Sequence, residues 1–318
     1  MKDKMMVSLI FATYKRNNLL EMMLRSFLKL NTQGFSFQII AVDNCPQKSA
    51  KLIIESFFDS LPIIYLHAIE PGKNAAINLG MEYAQGDLLV FTDDDIEADC
   101  NWLSSLVDAT NRYPDSSIFG GRILPKYPSN FERVGKNIDF SNDFVRMAYG
   151  EADWPQPEGP IVAERIWGAN MAIRRRLFSQ ELRFNPHIGP QGSNYVMGSE
   201  TEFLLRAYAK GYHGIYVPGA LVHHHVREEQ LSLAWLADRA YRLARGRVQM
   251  KPATQAKCVG GVPRYLFKNY LIRKLQTAIN FLYNKQRKFL HVIELNKIRG
   301  EITQYRLMKK QMHKRQNV

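Results

Sequence analysis

The chain has 318 residues, 46% of them hydrophobic, which is enough apolar material for a full core and excludes a disordered or fibrous protein. Its three cysteines, Cys45, Cys100 and Cys258, are widely spaced and odd in number, which argues against a disulfide framework or a zinc site and for a reducing compartment. The net charge of +13 is concentrated: from Gly261 onward there are 14 Lys/Arg and 2 Glu, so residues 1–260 hold 29 basic and 28 acidic groups and are nearly neutral.

Met6 to Thr13 is an apolar run that predicts a strand and lacks the small-residue cleavage pattern of a signal peptide. A helix is expected from about Asn18 to Leu30, where Leu20, Met23, Leu24, Phe27 and Leu28 recur at helical spacing. Phe37 to Val42 predicts a second strand, closed by Asp43-Asn44, and Ala50 to Phe58 a second helix. Ile63 to His67 is a third strand, followed by Pro71-Gly-Lys-Asn-Ala-Ala-Ile-Asn-Leu-Gly80 and a helix running toward Gly86. Leu88 to Phe91 is a continuous apolar run, as expected of a strand buried on both faces of a parallel sheet. This β-α-β-α-β-α-β order predicts an α/β fold with right-handed crossovers. It gathers Thr13–Arg16, Asp43–Asn44 and Asp93–Asp95 at one sheet edge, where ligands of open α/β sheets bind.

The last strand ends in Asp93-Asp94-Asp95, an Asp-X-Asp pattern. Strand alternation turns Asp93 and Asp95 toward one site and Asp94 away. Clustered carboxylates repel one another unless a cation lies between them, and hard oxygen ligands favour Mg2+ or Mn2+.

In the second half, Gly198-Ser-Glu-Thr-Glu-Phe203 opens a helix carrying two carboxylates in its first turn, Glu200 and Glu202. His223-His224-His225 follows a further strand. Residues 130–160, bordered by Pro128 and containing Pro155, Pro157 and Pro160, read as a long irregular insertion that forms a lid near an acceptor. In the C-terminal tail, Phe267, Leu271, Leu275, Ala278 and Leu282 share one helical face, with Arg273, Lys274, Lys285, Arg287 and Lys288 supplying charge. A basic amphipathic helix of this kind lies flat on an anionic membrane surface, the alternative being that its apolar face packs on the catalytic domain and leaves the lysines solvated. No stretch approaches the roughly 20 apolar residues of a membrane span, so the expectation is a cytoplasmic protein, peripheral at the inner face of the cell membrane.

Several segments together resemble the inverting family 2 glycosyltransferases, which have the nucleotide-sugar-binding GT-A fold. They are Val7-Ser-Leu-Ile-Phe-Ala-Thr-Tyr14, Ile39-Ile-Ala-Val-Asp-Asn44, Gly72-Lys-Asn-Ala-Ala-Ile-Asn-Leu-Gly80 and Gly86 through Asp95. The likeness continues through Trp167-Gly-Ala-Asn-Met-Ala-Ile-Arg-Arg175, Gly198 to Arg206 and Tyr216 to His225, and fades beyond about residue 250. The resemblance implies a Rossmann-like, mostly parallel sheet flanked by helices over residues 1–250, with a nucleotide-binding half (1–125) and an acceptor half (126–250). A helical basic extension would cover residues 251–318.

The resemblance further implies that Thr13, Tyr14, Arg16, Asp43, Asn44, Lys73, Asn78, Asp93, Asp94, Trp167 and Gly168 bind the nucleotide-sugar, with Asp43 meeting the base edge. Asp95, Asp93 and His224 would hold Mn2+ or Mg2+. Glu200 is the first candidate for the catalytic base and Glu202 its competitor. Ile77 stands where many family members have Arg, which passes a phosphate contact to Lys73. The implied activity is metal-dependent transfer of a hexose from a UDP-sugar or related donor to a glycan or lipid-linked acceptor, as in cell-surface polysaccharide biosynthesis. A sugar nucleotidyltransferase is disfavoured because Thr13-Tyr-Lys-Arg-Asn17 lacks the glycines of a phosphate loop. A non-catalytic nucleic-acid- or glycan-binding protein is disfavoured because the tail carries no nucleic-acid signature and the acidic residues are present.

Overall fold

The computed structural model of the protein describes residues 4–192, 195–252, 256–280 and 285–316. The elements run β1 (Met6–Thr13), α1 (Asn17–Phe27), β2 (Ser36–Asp43), α2 (Lys51–Glu55), β3 (Ile63–His67), α3 (Lys73–Glu82) and β4 (Leu88–Asp93). There follow β5 (Ile96–Ala98), α4 (Trp102–Arg112), β6 (Ile118–Lys126), α5 (Phe131–Val134), α6 (Asp143–Ala148), β7 (Gly159–Ile161) and β8 (Met171–Arg174). The chain continues through α7 (Ser199–Ala209), β9 (Gly214–His225), α8 (Leu233–Met250), β10 (Cys258–Val259), β11 (Val262–Pro263), α9 (Arg264–Asn280) and α10 (Lys285–Gln316).

These elements form two compact units. The first comprises residues 4–126, 149–192 and 199–225 and contains the main sheet, in the order β3-β2-β1-β4-β8-β6-β9-β5, with β7 on β9. β1, β2, β3 and β4 pair in parallel, as the alternating strand and helix pattern predicts, whereas β8 is antiparallel to both β4 and β6. Because the chain leaves β1 toward β2 and β3 and returns to β4 on the other side, the sheet order reverses between β1 and β4. A crevice opens at the carboxyl ends of such a pair.

The alternation of β4 explains why its apolar run is unbroken. Leu88 and Val90 join one core layer with Leu9, Phe11, Leu24 and Trp102, while Leu89 and Phe91 join the opposite layer with Ile10, Ile77, Met81 and Phe203. All four β4 side chains are buried. At about 1.5–3 kcal/mol for each such side chain, this strand is a main anchor of the residues at its end.

Residues 130–160 are more ordered than their prolines suggest. They include α5, α6, β7 and an isolated bridge from Ala152 to Ile123. The prolines lie outside Phe131–Val134 and Asp143–Ala148, which are therefore free to form short helices.

The second unit takes in residues 127–148, 195–198 and 226–316, so α8 lies in it together with α9 and α10. Its core contains Val248, Val262, Leu266, Ile298, Ile302 and Tyr305. The apolar stripe of α9 divides: Phe267 packs on this core, whereas Leu271 is 61% exposed, Leu275 64% exposed and Ala278 exposed. Leu282 lies outside the described residues, as do the side chains of Lys285, Arg287 and Lys288. Arg273 turns inward, donating to Gln276 and meeting the His291 ring, whereas Lys274 is exposed beside the stripe. No described helix is long and apolar enough to cross a membrane.

Candidate active site

The register of the first unit brings the predicted residues to one sheet edge: Ala12 lies opposite Asp93, and Thr13 opposite Asp43. β4 ends at Asp93, so strand alternation does not govern the two aspartates that follow. Asp94 consequently does not simply point away. It turns back to the end of β1, where its Oδ2 accepts from Thr13 Oγ1 at 2.8 Å and its Oδ1 from Arg16 Nη1 at 2.8 Å. Arg16 also donates to Asp95 Oδ2 at 2.7 Å, so one guanidinium clamps two neighbouring carboxylates. Lys15, in the left-handed region at φ 53°, makes the turn that brings Arg16 back.

Burial alone would weaken Arg16's hold on its proton, but Asp94, Asp95 and Asp93 outweigh it and the net shift is upward. For Asp94, burial with the charges of Asp95 and Asp93 pushes the carboxyl up to about 6, against Arg16 and Thr13.

Asp93 takes a different partner. Lys73, the first residue of α3, places Nζ 2.5 Å from Asp93 Oδ1 and 3.1 Å from Glu200 Oε1. Glu200 sits in the first turn of α7, where the helix dipole favours a carboxylate, and its Oε2 accepts from Ser199 Oγ at 2.7 Å. Burial pushes the Glu200 carboxyl up, yet Lys73 and Ser199 more than offset it and hold it below the usual carboxylate range. Burial likewise opposes charge on Lys73, but Asp93 and Glu200 keep its ammonium protonated.

Across the same cluster, His224 at the end of β9 brings Nε2 to 3.3 Å from Asp95 Oδ1. One ligand atom each from Asp93, Asp95 and His224 lie within 4.8 Å of one another. Two hard oxygens and one imidazole nitrogen suit Mn2+ well and Mg2+ less well. The charges agree: among the described residues Arg16 pairs with Asp94 and Asp95, and Lys73 with Asp93 and Glu200, so four carboxylates share these two cations. Gly150, at φ +87°, backs the imidazole; a Cβ there would lie 3.1 Å from His224 Nδ1.

A second loop closes the site. A Cβ on Gly168 would stand 2.6 Å from Glu200 Cγ and 2.8 Å from Cδ, so only glycine lets this backbone pass the carboxylate. The loop is pinned on both sides of that point. Thr92 Oγ1 donates to Ala169 O at 2.8 Å, and buried Asn170 accepts from Trp102 Nε1 while donating to Arg122 O and Ala220 O. Trp167 packs edge-on against Trp154, its Nε1 donating to Glu164 O.

Other expected residues are engaged in framing the crevice. Asp43 is fully buried and accepts from Cys45 N, Ala50 N and the Tyr65 hydroxyl. Asn44 accepts from Gly72 N and donates to Ala68 O and Glu70 O, which fixes the turn ahead of Lys73. Asn78 exchanges two hydrogen bonds with the Phe184 backbone. Tyr14 is 51% exposed. Glu202 is bound by Arg206 at 2.7 and 2.9 Å, and His225 lies near Glu97, so neither joins the carboxylate cluster in these contacts. The sequence alone assigns no role to Ser199 or Gly150.

An α/β sheet with carboxylates, a lysine and an imidazole gathered at its switch point is a candidate ligand site. The chain belongs to glycosyl transferase family 2, whose model matches residues 8–181, and its fold is GT-A. It is 29% identical over 234 residues to the succinoglycan biosynthesis protein ExoM of Rhizobium meliloti, covering 72% of this chain and 70% of that protein. It is 23% identical over 206 residues to a glucosyl-dolichyl phosphate glucuronosyltransferase of Haloferax volcanii, covering 64% and 63%. Among solved structures, the mannosyltransferase PcManGT of Pyrobaculum calidifontis, in complex with GDP-Man and Mn2+, matches at a TM-score of 0.59 and 15% identity, over 93% of this chain and 88% of that one. TarS of S. aureus in complex with UDP matches at a TM-score of 0.53 and 15% identity, over 96% and 92%.

Proposed function

We propose that the protein transfers a hexose, with inversion, from a nucleotide-diphosphate sugar to a glycan or lipid-linked acceptor. The observation that carries this reading is the meeting of Asp93, Asp95 and His224 with Glu200 and Lys73 at one switch-point crevice. A relative in succinoglycan biosynthesis and one named as a glucosyl-dolichyl phosphate glucuronosyltransferase support the acceptor class, and the nucleotide-sugars bound in the structural neighbours support the donor class. A UDP-sugar is the first donor to assay.

In this reading Asp93, Asp95 and His224 would hold Mn2+ or Mg2+, which would supply positive charge to the departing diphosphate. Arg16 keeps Asp94 and Asp95 in place, and Lys73 offers its ammonium to a diphosphate oxygen. Glu200 accepts the proton of the acceptor hydroxyl while that oxygen bonds to the anomeric carbon and the bond to the diphosphate breaks. A donor that draws Lys73 to itself strips Glu200 of its counter-charge and makes it a stronger base. Tyr14, Asp43, Asn44, Asn78, Trp167 and Gly168 shape the donor pocket. This chemistry is assigned to residues 1–250, and residues 251–318 form the extension. The exposed apolar face of α9, with the basic residues around it, seats on an anionic membrane and presents the enzyme to lipid-linked acceptors at the inner face of the cell membrane.

The test is release of nucleoside diphosphate from a panel of nucleotide-sugars by purified protein, with Mn2+, with Mg2+ and with excess EDTA. Release from one donor that depends on the ion supports the reading; no release from any donor with either ion overturns it.

A further inference from the structure

At the opposite end of β4 from the carboxylates lies a cleft of about 610 Å3 lined by Met81, Leu89, Phe178, Ser179, four arginines, Arg174, Arg175, Arg176 and Arg183, and one carboxylate, Asp87. Strand geometry separates the two ends: from Asp87 to Asp93 is six residues at about 3.3 Å each, roughly 20 Å. The cleft is therefore not part of the donor crevice.

The arginines are held in a distinctive way. Arg174 donates from Nε to Ser116 O and from Nη2 to Thr110 O, and Arg176 from Nη2 to Pro114 O and Asp115 O. Arg175 donates to Ala84 O, and Arg183 from Nη1 to Phe178 O and Leu182 O. Backbone carbonyls fix each guanidinium but do not neutralise it. Among the described residues none of the four pairs with a carboxylate, whereas Arg16, Arg25, Arg112, Arg122 and Arg206 all do. Asp87 accepts from Met6 N. Nη1 of Arg174 and Arg176, Nε and Nη1 of Arg175, and Nε and Nη2 of Arg183 have no protein acceptor among the described residues. Burial together with the charge of nearby Arg176 pulls the Arg174 guanidinium down from its usual value.

We propose that this cleft is a binding site for a phosphate monoester or diester, its anionic oxygens taken by the guanidinium edges of Arg175, Arg176 and Arg183 and its organic body resting on Phe178, Leu89 and Met81. Guanidinium forks match phosphate geometry, and arginines already fixed by carbonyls lose little freedom on binding. The same chemistry is offered by a soluble phosphate ester and by a phospholipid headgroup. The apolar floor gains more from the second.

The experiment is calorimetric titration of the full chain with inorganic phosphate, and separately with dihexanoyl phosphatidic acid below its micelle concentration, at constant ionic strength. It compares the wild type with Arg176→Gln/Arg183→Gln, Arg176→Lys/Arg183→Lys and, as a control for phosphate entering the donor crevice, Lys73→Met. The Gln pair is expected to weaken binding at least tenfold, the Lys pair to retain part of it, and Lys73→Met to leave it unchanged. Tighter binding of the lipid than of phosphate assigns the site to a headgroup, and equal binding assigns it to soluble phosphate. The proposal is overturned if the Gln pair binds both ligands like the wild type, or if Lys73→Met removes the binding. Nucleoside diphosphate release, measured alongside, is expected to be unchanged in the Gln pair, which keeps this result separate from the transfer reading.

Discussion

Lys73 Nζ lies 3.1 Å from Glu200 Oε1, joining the first residue of α3 to the first turn of α7 across 127 positions of sequence. The same ammonium also holds Asp93, so the proposed base and a proposed metal ligand share one counter-charge. Replacing Lys73 with Met should lower kcat/KM for the donor by about 10- to 100-fold, the value of a charge-assisted hydrogen bond to phosphate. Steady-state kinetics over donor concentration will check this. If Lys73 only fills space, the melting temperature will fall and kcat/KM will not.

Glu200 and Glu202 share one helical turn but not one environment. Glu200→Gln should reduce kcat by about 10²–10⁴-fold, the usual contribution of a general base, with donor affinity nearly unchanged. Glu202→Gln breaks a two-point bond to Arg206 and should cost stability with a much smaller kinetic effect. Paired measurements of kcat and donor binding distinguish the two. A larger loss of kcat for Glu202→Gln would reassign the base.

Gly168 tests whether the carboxylate must be positioned as well as present. The added methyl of Gly168→Ala meets Glu200 Cγ at 2.6 Å, and the loop cannot yield easily between the Thr92–Ala169 and Asn170–Trp102 bonds. Displacing Glu200 by about 1 Å should lower kcat by roughly 100-fold. Because the added methyl meets Glu200 first, kcat should fall by more than donor affinity does, which a donor-binding isotherm on the same variant will check.

The membrane role of α9 is best tested by point changes, since α10 packs against both α8 and α9 and truncation would expose that core. Leu271 and Leu275 are exposed, so Leu271→Gln/Leu275→Gln should leave the melting temperature unchanged. It should greatly reduce co-sedimentation with anionic vesicles at low salt. Equal sedimentation of wild type and variant would remove α9 as the membrane contact.

Much of the first unit was legible because its signals are local. The apolar runs at Met6–Thr13, Ile63–His67 and Leu88–Phe91 coincide with strands, and the β-α alternation gives the parallel half of the sheet. The aspartate triplet was found because a buried strand ending in three carboxylates needs a cation. What escaped depends on contacts between distant positions. Nothing near Asp94 announces that it turns to Thr13, and nothing near Gly168 announces Glu200 above it. The short helices α5 and α6 were hidden by neighbouring prolines and lack the length for periodicity to emerge. On α9 the stripe was readable, but whether it faced a core or solvent depended on packing by α10, which a helical period does not encode.

The central claim is that Asp95 holds a catalytic divalent cation, and Asp95→Asn tests it most directly. Arg16 retains Asp94 when Asp95 is neutralised, so the variant should fold, with a melting temperature near that of the wild type. The measurement is nucleoside diphosphate release by wild type and variant across a Mn2+ titration, with Mn2+-induced thermal stabilisation followed on the same samples. The account predicts saturable Mn2+ dependence and stabilisation for the wild type, and for the variant a loss of more than about 100-fold in rate with little stabilisation. Full turnover by Asp95→Asn, or undiminished wild-type turnover in excess EDTA, would contradict it.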